Sequence, residues 1–322
     1  MSVESLLSET AWKTKFHKLG ELKLRQSSIR QFRYCPKKFY YDYFLKADED
    51  RKKYAKPVYF TMGSYFHAYV EAHSLGETIE PERMLRECWE KDGNVDADFS
   101  ECLFKLDNKE VFYGESLNSL AVKVCQYLES YGFAPERVEV LESMDMGKLS
   151  ITGTPDLVSV NKLTGERFML DLKTTGLWRK FMGTGSLSSV KYEPDQITFA
   201  TQLQHYDWML YRLHGIKADK YGYICPVNFI PTASGKNKGQ LRGEPISIAP
   251  AATIEQLTEI YEYDLYGTAK EIAKCRDTND WPRNRPETYG KLDCVSCRHR
   301  DACLGQREIR TELPDFIDSN LG

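Results

Sequence analysis

The stretch that decides the fold is Leu149–Thr175, LSITGTPDLVSVNKLTGERFMLDLKTT. Two β-branched or apolar runs, LSITGTPDLVSV and RFMLDLKTT, flank the Gly-containing turn NKLTGE, which is how a β-hairpin reads. RVEVLES, from Arg137, and the turn MDMGK stand just upstream, so three successive strands joined as hairpins are expected. A Gly/Ser-rich connection, Gly183 to Ser189, then leads to PDQITFATQLQHYDWMLYRLHG, read as one long helix with Gly215 just beyond it. YGYICPV returns as a buried strand, EPISIAP as an outer strand, and AATIEQLTEIYEYDLYGTAKEIAKC as a closing helix.

Upstream of the strands the chain reads as helical. Ser27 and Ser28 can cap a segment through IRQFRYCPKKFYYDYF, whose aromatics recur every three or four residues and which Pro36 should kink or restart. MGSYFHAYVEAHSL, PERMLRECWEKD and GESLNSLAVKVCQYLESYG are three further amphipathic candidates. Helices, three meandering strands, helix and strand in that order indicate an α/β fold with a mixed central sheet flanked by helices.

Composition narrows the function classes. The 322 residues, 41% hydrophobic and 28% charged, sit near the globular average, long enough for one large domain or two merged ones. Lys+Arg 44 against Asp+Glu 47 leaves a net charge of −3, so any polyanion has to be held by a local patch. The longest uncharged run, Tyr221 to Gly235, is interrupted by Pro226 and Pro231, so no membrane span is expected. The opening MSVESLLSETAWKTKFHK has an early Glu4 and no apolar stretch, unlike a secretory signal, and a cytoplasmic location is expected. No G-x4-G-K-[ST] occurs, so any ATP-driven motor would be a partner.

Nine cysteines in a cytoplasmic chain argue against a disulfide framework. Cys88, Cys102, Cys125, Cys225 and Cys275 are isolated and read as small buried hydrophobes. Cys294, Cys297 and Cys303 form C-x2-C-x5-C in the polar stretch LDCVSCRHRDACL, a metal or cluster site missing one ligand.

The chemistry is expected around Asp156, in GTPDLV, and Asp171, in LDLKTT. Adjacent strands run about 5 Å apart, so two carboxylates near one end can share a divalent cation. Lys173 follows Asp171 by two residues, and the period of a strand puts both side chains on one face. Carboxylates that hold an ion, and an ammonium beside them to offset developing charge, are what metal-assisted phosphodiester hydrolysis needs. Gly63, His67 and Glu71 form G-x3-H-x3-E, so His67 can present an imidazole ligand with Glu71 one turn along. Gln202 and Tyr206, also four apart, can bond a phosphate or orient the lysine.

His67 in GSYFHAYVE, Asp156 in GTPD, Asp171 and Lys173 in LDLKT, and Gln202 with Tyr206 in QLQHY follow one another as in the RecB-like branch of the PD-(D/E)xK nuclease superfamily, which the chain resembles from about Ser27 to Cys303. One cysteine upstream, Cys35, and three downstream further resemble the iron-sulfur exonucleases of that branch, such as the CRISPR-associated Cas-four type and the nuclease domain of AddB. The resemblance implies a PD-(D/E)xK (restriction-endonuclease-like) core. Its parts would be an extension over 1–26, a helical region over 27–135, a nuclease core over 136–250 and a closing helix with a cysteine segment over 251–322, merged into one structural unit. It implies that His67, Asp156, Asp171 and the carbonyl of Leu172 coordinate Mg2+ or Mn2+, that Lys173 serves the attacking water, and that Gln202 and Tyr206 assist. Glu71 fits less securely, as a supporting group. Four thiolates, Cys35, Cys294, Cys297 and Cys303, suit a [4Fe-4S] cluster or structural Zn, and spacing does not choose; the resemblance favours iron-sulfur. Joining Cys35 to Cys294 would close nearly the whole chain into one loop, so a structural staple is expected.

The implied activity is a metal-dependent DNA exonuclease favouring single-stranded ends, in a prokaryotic or viral repair, recombination or CRISPR context, with a helicase as a possible partner. A structure-specific or nicking endonuclease and a non-catalytic DNA-binding subunit are the rivals. Basic runs interleaved with aromatics, at Arg30 to Lys38, Arg51 to Lys56, Trp178 to Lys180, KNKGQLR and Arg283 to Pro286, are the expected DNA contacts.

Overall fold

The computed structural model of the chain describes residues 22–44, 58–94, 99, 117–146, 149–174, 191–232, 236–283, 294, 297 and 299–303. In chain order the elements are β1 (Leu22–Arg25), α1 (Gln26–Tyr34), α2 (Pro36–Phe39) with a π-helical turn Tyr40–Phe44, α3 (Val58–Ser74), α4 (Pro81–Lys91) and α5 (Leu117–Ser130). Strands β2 (Phe133–Val138), β3 (Glu142–Met146), β4 (Leu149–Gly153), β5 (Leu157–Asn161) and β6 (Arg167–Leu172) follow. Then come α6 (Pro194–Thr198), α7 (Thr201–His214), β7 (Lys220–Ile224), a 3-10 turn Pro226–Phe229, β8 (Ile246–Pro250), α8 (Ile254–Gln256), a π-helical turn Leu257–Glu262, α9 (Tyr263–Thr278) and α10 (Arg300–Cys303). The mixed α/β architecture is the one expected. The chain forms two compact units, one of residues 53–142 and 154–254, the other of 1–52, 143–153 and 255–322.

The first unit is built on a five-stranded mixed sheet in the order β2-β5-β6-β7-β8. β5 and β6 form the expected hairpin, while β6 and β7 run parallel through a crossover that contains α6 and α7. β8 lies at the edge, as read. β6 and β7 sit between neighbours and carry nearly continuous buried residues, the pattern of central strands. Gly222 lets β7 pack tightly, because a Cβ there would meet Leu170 Cδ2 at 2.7 Å. Tyr65, Phe66, Leu85, Leu117, Leu120 and Val124 from α3, α4 and α5 join Leu157 and Leu170 of the sheet in one buried cluster.

Four expectations are corrected here. RVEVLES is not one strand, since β2 ends at Val138, Glu139 is left-handed (φ 48°) and β3 starts at Glu142 in another sheet. LSITGTPDLVSV is two strands, not one. β4 ends at Gly153 and pairs with β1 and β3 in a separate three-stranded sheet, whereas β5 starts at Leu157 and pairs with β2. Pro155 stands between them and has no N–H for a ladder. MDMGK is not simply a turn, since Glu142–Met146 is β3; Gly147 and Lys148 lie outside the described residues. The long helix is two, because Ala200 is extended (ψ 110°) and Thr198 Oγ1 donates to Pro250 O at 2.8 Å, fastening α6 to β8. Gln204 Nε2 donates to Thr198 O and satisfies a carbonyl freed by the break. α7 ends at Gly215 in the left-handed conformation (φ 68°), as expected.

In the second unit α1 begins at Gln26. Ser28 caps it from inside the first turn, its Oγ accepting from Arg25 N–H and donating to Arg25 O, both at 2.8 Å. Pro36 interrupts the helix as expected: Cys35 is extended (φ −160°, ψ 103°) and α2 restarts with Pro36 in its first turn. Phe39 and Phe44 pack on Trp281, and Arg33 binds Asp264 at 2.6 Å and Thr268 Oγ1 at 2.9 Å on α9.

Candidate active site

The carboxylates are placed by the ladder. β5 and β6 pair Leu157 with Leu170, so one further step of that register sets Asp156 opposite Asp171. Asp156 Oδ2 accepts the Leu172 N–H at 2.8 Å, which ties the end of β6 to the turn before β5. Asp171 is 2% exposed, and its Oδ2 is paired with the Lys173 ammonium 2.5 Å away, which offsets the buried charge.

His67 enters from α3. A Cβ on Gly63 would stand 3.2 Å from Thr174 Oγ1, so the glycine lets α3 approach the end of β6 closely. His67 Nδ1 lies 2.9 Å from Glu139 Oε1 and 3.6 Å from Asp156 Oδ2. Among the described residues His67, Glu139 and Asp156 bring ligand atoms within 4.8 Å of one another and could hold a metal ion. This donor set fits a divalent cation, since imidazole nitrogen with carboxylate oxygens suits Mn2+ and the carboxylates suit Mg2+.

Glu139 is the residue that the sequence reading missed. It follows β2 with φ 48°, a left-handed conformation uncommon for a non-glycine residue, and its N–H donates to Asp156 O at 3.1 Å. Its sequence signal was slight, an acid between Val138 and Val140 in RVEVLES, and His67 stands 72 positions away.

The electrostatics are those of a crowded acidic cleft. Burial, then the neighbouring Asp171, hold the Asp156 pKa well above the usual carboxylate range. Burial pulls the His67 imidazole down, but its bond to Glu139 and the charges of Asp156, Glu139 and Asp171 outweigh that and push it up to about 9. Glu71 lines the same cleft, raised by burial and by Glu139. Lys173 Nζ donates to Gln202 Oε1 at 3.1 Å, and Gln202 Nε2 donates to the Tyr206 hydroxyl at 3.4 Å. Burial pushes the Tyr206 hydroxyl up to about 12, so it stays protonated at neutral pH. His67, Asp156, Asp171, Leu172, Lys173, Gln202 and Tyr206 are thus brought into one neighbourhood, with Glu139 added.

The cysteines are arranged more loosely. Cys35, Cys294, Cys297 and Cys303 all belong to the second unit, and no three of these thiols lie within 4.8 Å of one another. Burial raises the Cys303 thiol, Arg283 opposes that, and Cys35 is near enough to raise it further. Cys35 Sγ accepts the Lys38 N–H at 3.4 Å.

Of the basic segments, Lys37 sits over the Tyr40 and Tyr41 rings at 5.1 and 5.5 Å, and Lys238 lies in an exposed turn. Arg51 to Lys56, Trp178 to Lys180 and the residues after Arg283 in the last segment lie outside the described residues, as do Cys102 and the 1–21 stretch. No described helix is long and apolar enough to cross a membrane.

No curated protein matches the chain. A family model described as PD-(D/E)XK nuclease superfamily matches residues 23–304, a span that contains every residue of the cleft. Nucleases of this superfamily use divalent metals, in keeping with the His67, Glu139 and Asp156 group. The chain therefore belongs to the PD-(D/E)XK nuclease superfamily.

Proposed function

We propose that the protein is a divalent-metal-dependent deoxyribonuclease that degrades DNA from an end and favours single strands. The observation that carries the reading is the convergence of His67, Glu139 and Asp156 beside the buried Asp171, itself paired with Lys173. His67, Asp156, Asp171 and the Leu172 carbonyl would hold Mg2+ or Mn2+, with Glu139 as a further ligand or as the partner that orients His67. When bound, the ion supplies an acidified water and a polarised phosphate. Lys173 offsets negative charge that develops on the phosphate and orients the attacking water, and Gln202 fixes the ammonium through its carbonyl. Tyr206 holds the amide of Gln202 in that orientation.

The end preference rests on the resemblance to iron-sulfur exonucleases, and the single-strand preference on basic segments interleaved with aromatics. Linear and covalently closed single-stranded DNA separate the readings: Mn2+-dependent loss of linear substrate with closed circles intact is expected, and equal cutting of circles would make the protein an endonuclease. Asp171→Ala and Lys173→Ala proteins that stay folded and cut like the parent would overturn the assigned site, and a parent that binds DNA without cutting it would favour a binding subunit.

Cys35, Cys294, Cys297 and Cys303 would hold a [4Fe-4S] cluster as a structural staple. Four thiols in one unit, with Cys35 near Cys303, support it. Brown protein purified without air, with iron and acid-labile sulfide, is expected; zinc without iron would refute the cluster. A cytoplasmic repair, recombination or CRISPR-linked setting with a separate motor fits such an enzyme.

A further inference from the structure

We infer that Tyr223 is a positioning residue for Lys173, its ring face forming the floor that holds the ammonium in the active site. The inference rests on the nuclease reading above for its functional consequence, and on geometry for its substance. Tyr223 lies on β7 directly across from Asp171 in the parallel pair, so its side chain rises on the face of the sheet that carries Asp171 and Lys173. Lys173 remains in the ladder, its N–H donating to Ile224 O at 2.8 Å, which fixes where the side chain starts. Its Nζ stands 4.9 Å from the centroid of the Tyr223 ring, within cation-π range. The Tyr192 ring packs against the Tyr223 ring, with centroids 4.6 Å apart and planes tilted by 57°, which restrains the floor. Tyr223 itself is 7% exposed.

A ring is suited to this place for a chemical reason. The ammonium has two other partners, the Asp171 carboxylate and the Gln202 carbonyl. Asp171 is also a proposed cation ligand, and charge that it gives to a metal is withdrawn from the lysine. The π face stabilises the ammonium without competing for any metal site and offers no lone pair in its plane of contact to the ion. Lys173 therefore keeps its position when the carboxylate turns to a cation.

Two measurements test this. Lysines are reductively methylated with 13C, and the Lys173 resonance is assigned by its disappearance in Lys173→Arg. A ring-current upfield shift is expected in the parent and in Tyr223→Phe, and its loss in Tyr223→Leu; an unshifted resonance in the parent overturns the inference whether or not the protein cuts DNA. In Mn2+-dependent cleavage of linear single-stranded DNA, Tyr223→Leu should lower kcat about tenfold with KM nearly unchanged, and Tyr223→Phe should restore it. A folded Tyr223→Leu protein with the parent's kcat overturns the positioning role. Should Tyr223→Leu not fold, Tyr223→Met replaces it in both experiments. A parent that never cuts DNA refutes the nuclease reading, while the resonance still decides the contact.

Discussion

The carboxylate cleft and the cysteine segment both gather residues from distant parts of the chain, yet among the described residues the cleft alone is assembled to ligand distance. His67, Glu139 and Asp156 stand within 4.8 Å of one another, whereas no three of Cys35, Cys294, Cys297 and Cys303 do. The difference lies in what carries the ligands. Asp156 and Asp171 are fixed by a backbone ladder, and His67 by a helix brought close at Gly63, so repeated hydrogen bonds and a packed core hold them together. Cys35 sits in a break between helices and Cys303 ends a four-residue helix, positions with little regular structure to define them. A site on a ladder is organised by the fold; thiols at chain breaks would be organised by the cluster proposed for them.

The largest effect that would sharpen this contrast is on the cleft. Asp171→Ala should lower Mn2+-dependent DNA cleavage by about a thousandfold or more while leaving the melting temperature near the parent's, and Lys173→Ala should lower it as far with some loss of stability, because Asp171 is left buried without its ammonium. In the cysteine segment the sign reverses: Cys35→Ala should cost about 3 to 5 kcal/mol of stability and remove iron from the purified protein, read by denaturant unfolding and metal analysis. Cysteine variants as stable as the parent would break the comparison, because the thiols would then not be a staple.

Smaller effects separate the two roles open to Glu139. Glu139→Gly keeps a residue at ease with a positive φ and removes the carboxylate, so Mn2+ affinity should fall about 10- to 100-fold by calorimetry with stability retained or slightly raised. Proton competition gives the last test. The His67 pKa lies near 9 in the metal-free cleft, so at neutral pH the imidazole is protonated and must lose that proton to ligate. Mn2+ affinity should therefore rise with pH up to about 9, weaken as pH falls, and release protons on binding, which calorimetry in two buffers of different ionisation enthalpy detects.

Much of this was legible in the chain. Asp171 and Lys173, two apart on a strand, had to share a face, and Gly215 and Pro36 marked where helices end. Gln202 and Tyr206 met across one helical turn as their spacing required. Glu139 was not legible, because nothing local shows that a residue after β2 turns left-handed and meets a histidine 72 positions earlier. The break between α6 and α7 was hidden for a similar reason: TFATQ looks helical until Thr198 finds the Pro250 carbonyl.

The sequence by itself determined which side chains share a strand face or a helix face, since those relations follow from the periods of a backbone. Tertiary structure alone decided that β4 and β5 belong to different sheets, that Glu139 enters the cleft, and that Tyr223 lies under Lys173. Those relations depend on which strands become neighbours, and neighbours are chosen by burial and ladder pairing over the whole unit, not by any short stretch of residues.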